Sequence, residues 1–212
     1  MAYILGLIFS DGAIEDVRKS SRTCYIAITS KDKAFIEEVR DVLSPSHKLY
    51  IRLPRINRFS NGKSYQCSTL YTLRIGNKIM YQDLINLGLR PRKSLKMKFP
   101  NIPQQYFNFF LRGYFDGDGC VSVYKQRGRM HKTIQVIFTS GTKTFLEKIS
   151  LTVDKIIKIE GSKVGNYGGA FRLTYKQNKA LKLLAFMYSR LNHAIYLDRK
   201  YKIYQNYLKN RR

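Results

Sequence analysis

Hydrophobic and polar positions along the chain change between helical and strand spacing in the same order twice. In the first half, apolar residues at helical spacing predict helices at about 3–9, 31–43 and 77–88. Alternation of apolar and polar residues predicts strands near 13–19, 22–30, 47–54 and 66–76. Within the second of these strands, alternation places Cys24, Ile26 and Ile28 on one face and Thr23 and Tyr25 on the other.

The second half repeats this order. Helices are predicted at about 103–116, 142–151, 176–190 and 195–209, and strands near 120–126, 132–140, 155–160 and 168–176. The segment RPRKSLKMKFPNIP, residues 90–103, contains three prolines and many cations and is interpreted as the linker. The pattern predicts an α+β fold of two pseudo-symmetric αββαββα repeats, one in residues 1–99 with the start of the linker and one in residues 100–212.

The two halves also match residue by residue. YILGLIFSDGAI at residues 3–14 aligns with FLRGYFDGDGCV at residues 110–121, which places Asp11 opposite Asp118, 107 positions later. Lys93 and Lys200 are separated by the same 107 positions. Ser30 and Ser140, 110 positions apart, each precede a predicted helix and are interpreted mainly as helix N-caps. Three matched landmarks indicate an internal duplication.

The charge of the chain indicates which kind of partner it binds. The 212 residues include 39 lysines and arginines against 14 aspartates and glutamates, a formal net charge of +25. An excess of this size repels itself in a compact protein and is typical of proteins that bind a polyanion. Because a pI near 10 is combined with 13% aromatic residues, a nucleic-acid-binding protein is favoured over a merely soluble, basic protein.

Other classes of protein are disfavoured. The three cysteines, Cys24, Cys67 and Cys120, lie far apart without a CxxC pair, which argues against a zinc site or a disulfide framework and suits a reducing intracellular compartment. No apolar run reaches membrane-spanning length, and the N-terminus lacks the basic region of a signal peptide. We therefore expect an intracellular protein with access to DNA, with no membrane association and no secretion.

The two aspartates stand at predicted helix ends. Gly6 and Ser10 in the first half, and Gly113 and Gly117 in the second, are four residues apart and put small side chains on one helix face, so two helices can approach closely. Each helix then ends at an aspartate followed by glycine. A carboxylate at this negative end of a helix is unfavourable unless a cation compensates, and paired carboxylates with helix-end carbonyl groups suit Mg²⁺.

The segments ILGLIFSDG (4–12) and LRGYFDGDG (111–119) resemble the LAGLIDADG motif of homing endonucleases. The resemblance covers nearly the whole chain and implies the single-chain, two-motif type, in which two four-stranded antiparallel sheets form a DNA-binding saddle. The first motif departs from the family at Phe9, where an acid is usual. Because Phe9 is the counterpart of Asp116, Asp116 is interpreted as a supporting or interface residue.

The resemblance also implies the site. Asp11 and Asp118 would bind the catalytic metal with the backbone carbonyl groups of Ser10 and Gly117, and the metal would be Mg²⁺, with Mn²⁺ as an alternative and Ca²⁺ as a non-catalytic substitute. Lys93 and Lys200 resemble the basic residue that the family places near the reacting phosphate; a plain phosphate contact or a solvated lysine explains them equally well.

Cations and polar residues on the predicted strands and hairpins are expected to contact DNA, mostly at phosphates. This set, offered as a set rather than residue by residue, consists of Arg18, Lys19, Arg22, Tyr25, Arg52, Arg55, Arg58, Lys63, Tyr71, Lys125, Arg127, Arg129, Lys132, Gln135, Lys158, Lys163 and Arg172. Alternation also turns Thr133 outward.

These features predict a site-specific homing endonuclease that makes metal-dependent double-strand breaks and is encoded within an intron. Because the halves differ in sequence, its DNA target should be long and non-palindromic, and a monomer with internal pseudo-dimer symmetry should suffice. Three alternatives stay open: an RNA maturase that binds intron RNA, a DNA-binding protein on the same fold that does not cleave, and a variant that nicks one strand.

Overall fold

The first half of the chain builds one mixed unit. The computed structural model describes residues 1–17, 24–43, 46–58, 62–91, 97–125, 128, 131–192 and 194–210. The elements of the first half are α1 (Ala2–Ser10), β1 (Gly12–Ile14), β2 (Tyr25–Ser30), α2 (Lys33–Leu43), β3 (Leu49–Arg52), β4 (Arg55–Arg58), β5 (Ser64–Cys67), β6 (Leu70–Gly76) and α3 (Lys78–Asn86).

The second half builds a matching unit. A 3₁₀ turn (Gln104–Tyr106) leads into its elements, which are α4 (Phe107–Asp118), β7 (Gly119–Lys125), β8 (Lys132–Ser140), α5 (Lys143–Ile157), β9 (Gly165–Tyr167), β10 (Ala170–Lys176), α6 (Gln177–Met187) and α7 (Asp198–Lys209).

Each unit has a four-stranded antiparallel sheet, and the order of strands is the same in both. The orders are β1-β2-β6-β3 and β7-β8-β10-β9. In β2, Ile26 and Ile28 face the helices and are buried, while Tyr25 and Thr29 lie on the opposite face. We call this second face of each sheet the open face. The predicted α+β fold with paired antiparallel sheets is confirmed.

One predicted strand is wrong. Residues 155–160 alternate like a strand, but α5 continues to Ile157 because its apolar stripe of Phe145, Leu146, Ile149 and Val153 is buried along the whole helix. The edge strand that pairs with β10 is β9, which lies after residue 160.

Two other predictions need correction. No strand was predicted between residues 54 and 66, yet β4 lies there and pairs with β5, which begins at Ser64, in a two-stranded hairpin. The first predicted strand, near 13–19, is short, because β1 ends at Ile14; residues 18–19 lie outside the described part of the chain.

Helices α1 and α4 pack at the centre of the molecule, and their aromatic residues join the two cores. Phe9 of α1 is completely buried, stacks on Phe145 at 6.0 Å between ring centroids and meets Phe110 edge-on at 5.9 Å. Phe9 therefore reaches into the core of the second unit, which gives it a packing role in place of an acid. Among the described residues, no helix combines the length and the apolar composition that crossing a membrane requires.

Candidate active site

Helices α1 and α4 touch along their backbones. A Cβ atom on Gly6 would overlap the carbonyl oxygen of Phe110, and a Cβ atom on Gly113 would overlap that of Tyr3. The two contacts are reciprocal, and only a hydrogen atom fits at either position. The small residues predicted on one helix face therefore set the separation of the two helices.

The same contact continues to the ends of the helices. A Cβ atom on Gly117 would overlap Ser10 Oγ and would lie 3.1 Å from the backbone nitrogen of Asp11. Asp11 caps α1, with its N–H donating to the carbonyl oxygen of Leu7 at 3.0 Å, and Asp118 is the last residue of α4. Both aspartates are exposed. The helix pair thus brings the two motif ends together at one place on the surface.

A glycine follows each aspartate for a steric reason. A Cβ atom on Gly12 would lie 2.6 Å from the carbonyl oxygen of Ile8, and one on Gly119 would lie 2.5 Å from that of Phe115. The chain therefore folds back over the last turn of each helix as it enters β1 or β7. Each aspartate stands at this corner, between a helix and the first strand of a sheet.

A buried phenol, Tyr114, feels the charge of both carboxylates. Burial raises the pKa of Tyr114 well above its usual value, and the charges of Asp118 and Asp11 raise it further. Its hydroxyl donates to the carbonyl oxygen of Thr139 at 2.8 Å. Because both aspartates act on the same side chain, negative charge from the two motifs is concentrated in one region.

The donor atoms at this region suit a hard divalent cation. Two exposed carboxylates, Asp11 and Asp118, stand beside the negative ends of two helices, where the backbone carbonyl groups of Ser10 and Gly117 also lie. Within the described ranges, no group of three or more histidine, cysteine, aspartate or glutamate side chains is present. A metal held here would therefore depend on two carboxylates together with carbonyl oxygen atoms and water.

Lys200 does not occupy the position expected for a cation beside a phosphate. Its side chain is only 4% exposed, and Nζ donates to the carbonyl oxygens of Phe115, Asp116 and Gly119 at 2.5–2.9 Å. Burial lowers the pKa of Lys200 to about 8, against the opposing charge of Asp116. All three N–H groups of a lysine are used in this way. Lys200 therefore caps α4 and holds the helix end that carries Asp118. Lys93 lies outside the described residues.

Asp116 ties the same helix to the C-terminal part of the chain. It is 2% exposed, and its Oδ2 accepts hydrogen bonds from the hydroxyl of Tyr3 and the backbone N–H of Leu197, each at 2.9 Å. Burial raises the pKa of Asp116 to about 6, although the bond from Leu197 and the charge of Lys200 oppose this shift. Asp116 thus joins α1, α4 and the start of α7, as its interpretation as an interface residue predicts.

The buried charge of Asp116 should make stability depend on pH. An unfolded aspartate has a pKa near 3.9, so the folded protein holds this proton more tightly and stability falls as pH rises from about 4 to 6. Asp116→Asn removes the charge and keeps an acceptor oxygen. We expect its free energy of unfolding, relative to the wild type, to rise by up to about 3 kcal/mol between pH 4 and pH 7, measured by urea denaturation.

Asp116→Ala is the matched control for this experiment. It also removes the charge but cannot accept the hydrogen bonds from Tyr3 and Leu197, so its curve should start lower and rise with pH by the same amount. If the curves of both variants run parallel to that of the wild type across this range, the buried charge of Asp116 is not the cause.

Ser30 and Ser140 have the same local role in the two repeats. The hydroxyl of Ser30 accepts from the N–H of Asp32 at the start of α2, and that of Ser140 accepts from the N–H of Thr142 at the start of α5, both at 3.1 Å. Both serines end strands, β2 and β8, and their hydroxyls hold the turn that leads into the helix. The expected N-cap role is wrong for Ser140, because the N-cap of α5 is Thr142.

On the first sheet, the open face carries several of the expected DNA contacts and one that was missed. Tyr25 lies under the guanidinium of Arg74, 3.7 Å from its ring centroid, and Arg74 also binds Glu15 at 2.6 Å. Nothing in the sequence pattern singled out Arg74. The remaining expected cations of this unit that the structure describes lie along β3, β4 and the segment before β5: Arg52, Arg55, Arg58 and Lys63.

On the second sheet, Gln135 lies on the open face and donates to Ser122 at 3.0 Å. Arg172 lies on the same face beside the ring of Tyr167, and Lys125 pairs with Lys132 at one end of the β7–β8 ladder. Thr133, which was expected to point outward, alternates with Gln135 and so belongs to the open face, but it is almost fully buried. Open-face residues that sequence reasoning missed are Ser122, Thr139, Thr174 and Lys176.

Two expected contacts are misplaced. Tyr71 is on the helix-facing side of β6, in alternation with Leu73 and Ile75, and packs against the core. Lys158 follows the last turn of α5 rather than a strand. Lys163 precedes β9 and is exposed. Five further expected contacts lie outside the described residues, namely Arg18, Lys19, Arg22, Arg127 and Arg129.

Comparisons with known proteins agree with this geometry. Residues 108–175 match the sequence model of a protein family, the LAGLIDADG-like domain. A reverse gyrase of Methanocaldococcus jannaschii is 28% identical over 155 residues, which is 73% of this chain and 8% of that protein. A protein of the same organism described as a probable translation initiation factor IF-2 is 26% identical over 153 residues, which is 70% of this chain and 11% of that protein. The chain thus matches only a small part of these two relatives.

Similar solved structures cover nearly the whole chain. The homing endonuclease I-WcaI bound to its DNA recognition sequence matches 95% of this chain and 84% of its own, with a TM-score of 0.62 and 16% identity. The meganuclease I-SmaMI bound to uncleaveable DNA matches 98% and 88%, with a TM-score of 0.62 and 15% identity. At these identities the likeness establishes the fold, including the placement of two motifs in one chain.

Proposed function

This chain is a protein of the LAGLIDADG fold with both motifs in one polypeptide, and we propose from that premise that it is a site-specific DNA endonuclease. It would cut both strands of a long, non-palindromic target in a metal-dependent reaction. The observation that carries this proposal is the contact between Ser10 and Gly117, which brings Asp11 and Asp118 together at the junction of the two sheets.

The two aspartates would hold the metal ions, with the carbonyl oxygens of Ser10 and Gly117. Mg²⁺ bound there would lower the pKa of an attacking water and stabilise the charge on the departing 3′ oxygen. Solved structures of I-SmaMI include one with uncleaved DNA in the presence of calcium ions, which supports divalent metal use and Ca²⁺ as a non-catalytic substitute. Lys200 would act on this site indirectly, because its ammonium holds the backbone around Asp118.

Each sheet would bind one half of the target with its open face. On the open faces Arg52, Arg58 and Arg172 would bind mainly phosphates, and so would the cations near these faces, Arg55, Lys63, Lys125, Lys132 and Lys163. Tyr25 and Gln135 would lie closer to the bases. Because the two units differ at these positions, the two half-sites should differ in sequence.

The relatives support the proposal that this sequence is encoded by a mobile genetic segment. Similar sequence lies within two longer proteins with different names, and it occupies only 8% and 11% of them. A segment that occurs in unrelated hosts is what a homing endonuclease gene would produce. We propose, as the resemblance implied, that the gene for this chain lies within an intron.

Selection for cleavage tests the proposal. The protein is incubated with Mg²⁺ and a library of randomised duplexes, and the cut ends are sequenced; we expect one long asymmetric consensus. A parallel binding assay uses intron RNA from the host locus. If the protein cuts no duplex and binds that RNA tightly, the chain is a maturase. If it binds a DNA consensus without cutting, it is a DNA-binding protein on the same fold.

Affinity for DNA should fall steeply with salt. With a net charge of +25, about six to ten phosphate contacts are expected, so raising salt from about 50 to 200 mM should weaken binding by about 10³-fold or more. Removing two phosphate contacts with Arg52→Ser and Arg58→Ser should reduce the slope of log K against log salt by about two. Lys155→Ser, on the exposed side of α5, is the control and should leave the slope unchanged. A flat salt response would contradict the proposed DNA-binding faces.

A further inference from the structure

The first sheet is extended by a feature that the second sheet lacks. Strands β3 and β6 pair up to Arg52 and Leu70, and pairing resumes with Arg55 and Cys67, three residues further along each strand. The register is therefore the same before and after the interruption. We call residues 53–58 and 62–69 the arm. In the second sheet, β9 and β10 are joined by a two-residue turn at Gly168 and Gly169.

The arm and the strand before it expose large apolar side chains. The exposed large apolar residues of this stretch are Tyr50, Ile51, Leu53, Ile56 and Tyr65. Tyr50 is 60% exposed and pairs with Thr72, which bonds Thr29 on the open face; Ile56 is 65% exposed and pairs with Gln66. Clustered apolar exposure of this kind indicates a binding surface.

Alternation and register place part of this cluster on the face that would meet DNA. Because the register is kept, Ile56 and Arg58 continue the alternation of Tyr50 and Arg52 and share the open face with them. Ile51 and Leu53 alternate to the other face. The open face of β3 and the arm therefore presents Tyr50 and Ile56 in alternation with Arg52 and Arg58. The arginines favour a polyanion as the occupant of this surface.

The major groove of DNA offers one apolar group at its base edges, the C5-methyl group of thymine. Resting on the proposed endonuclease function, we propose that Ile56 and Tyr50 recognise thymine methyl groups in the half-site bound by the first unit. Arg52 and Arg58 would fix the register on the flanking phosphates. The open face of the second unit carries Gln135, Arg172 and other polar residues; its exposed Tyr167 lies under the guanidinium of Arg172, and its Ile137 is half-buried. Its half-site should therefore be read by hydrogen bonds.

Replacing thymine by deoxyuridine tests this proposal, because uracil keeps every hydrogen-bonding atom and lacks only the methyl group. The selected target is made with uracil in one half at a time, and the dissociation constant is measured. Ethylation interference identifies the half bound by the first unit, because Arg58→Ser should become insensitive to ethylation of the phosphates that Arg58 binds. We expect binding to weaken about fourfold for each recognised methyl group that is removed from that half, and little change in the other half.

Two matched variants assign the effect to the arm. Ile56→Ser should lose the share of the thymine preference that Ile56 supplies, and adding Tyr50→Ser should make thymine and uracil targets bind equally. Ile51→Ser, on the opposite face, should keep the wild-type preference. All three positions are exposed, so these variants should fold, which circular dichroism checks. The proposal is overturned by equal uracil effects in both halves, by no effect in either, or by a first half-site without thymine. If the protein binds no duplex DNA, the proposed function fails too; if it cuts a target that tolerates uracil, only this inference fails.

Discussion

Replacing Gly113 with alanine is expected to destabilise the protein by about 3 kcal/mol. The added Cβ atom would overlap the carbonyl oxygen of Tyr3 and lie 2.9 Å from the backbone nitrogen of Leu7. Both neighbours are helix backbone, which cannot rotate away as a side chain can. The helices must separate, and separation opens gaps around Phe9 and Phe110.

The reciprocal variant, Gly6→Ala, should cost a similar amount, because its Cβ atom meets the carbonyl oxygen of Phe110. Gly62→Ala is the control: nothing lies within 4 Å of its added methyl group, and only its φ of +77° disfavours alanine, at a cost of about 1 kcal/mol. Urea denaturation measures all three variants. If Gly113→Ala loses no more stability than Gly62→Ala, the two helices are not in the close contact described above.

Asp11→Asn and Asp118→Asn should each abolish double-strand cleavage, lowering its rate by a factor of at least about 10² to 10³. Asparagine has nearly the same shape, but it removes one negative charge and one carboxylate oxygen from a site where the described residues bring two carboxylates to a metal. Loss of metal-based charge stabilisation is worth several kcal/mol of activation free energy. Both residues are exposed, so the fold and the affinity for DNA should be retained.

Asp116→Asn is the control for these two variants. It also removes an aspartate from the second motif, but its side chain is buried and points to Tyr3 and Leu197 rather than to the surface. Cleavage should therefore stay within a few-fold of the wild type. A rate for Asp118→Asn as high as that for Asp116→Asn, on DNA that both bind equally, would remove Asp118 from the catalytic site.

The central helix pair could be predicted because its requirements are local in sequence. Gly6 and Gly113 stand at the same position of two matched motifs, and close helix contact leaves few alternatives to glycine there. The aspartates could be predicted for a similar reason. Each ends a helix and is followed by a glycine, which marks the sharp turn of the chain into the next strand. The alternation of Ile26 and Ile28 fixed the buried face of β2 in the same way.

Other features depend on contacts between distant residues. Lys200 and the end of α4 are more than 80 residues apart, so its spacing from Lys93 could suggest a shared position but not its burial against three carbonyl groups. The residues near 155–160 alternate like a strand, and only the packing of Val153 and the preceding turns on the second sheet shows that the helix continues. The β4–β5 hairpin lacks a buried face, so the hydrophobic pattern could not predict it.

The dependence of cleavage on divalent metal tests the central claim most directly. The selected duplex is incubated with the protein in EDTA, in Ca²⁺ and in Mg²⁺, and both strands are followed separately. We predict binding in all three conditions, and cleavage of both strands only in Mg²⁺, with Asp11→Asn and Asp118→Asn binding but not cutting. Cleavage in EDTA, or full cleavage by either variant in Mg²⁺, would contradict the assignment of Asp11 and Asp118 as the metal-binding pair.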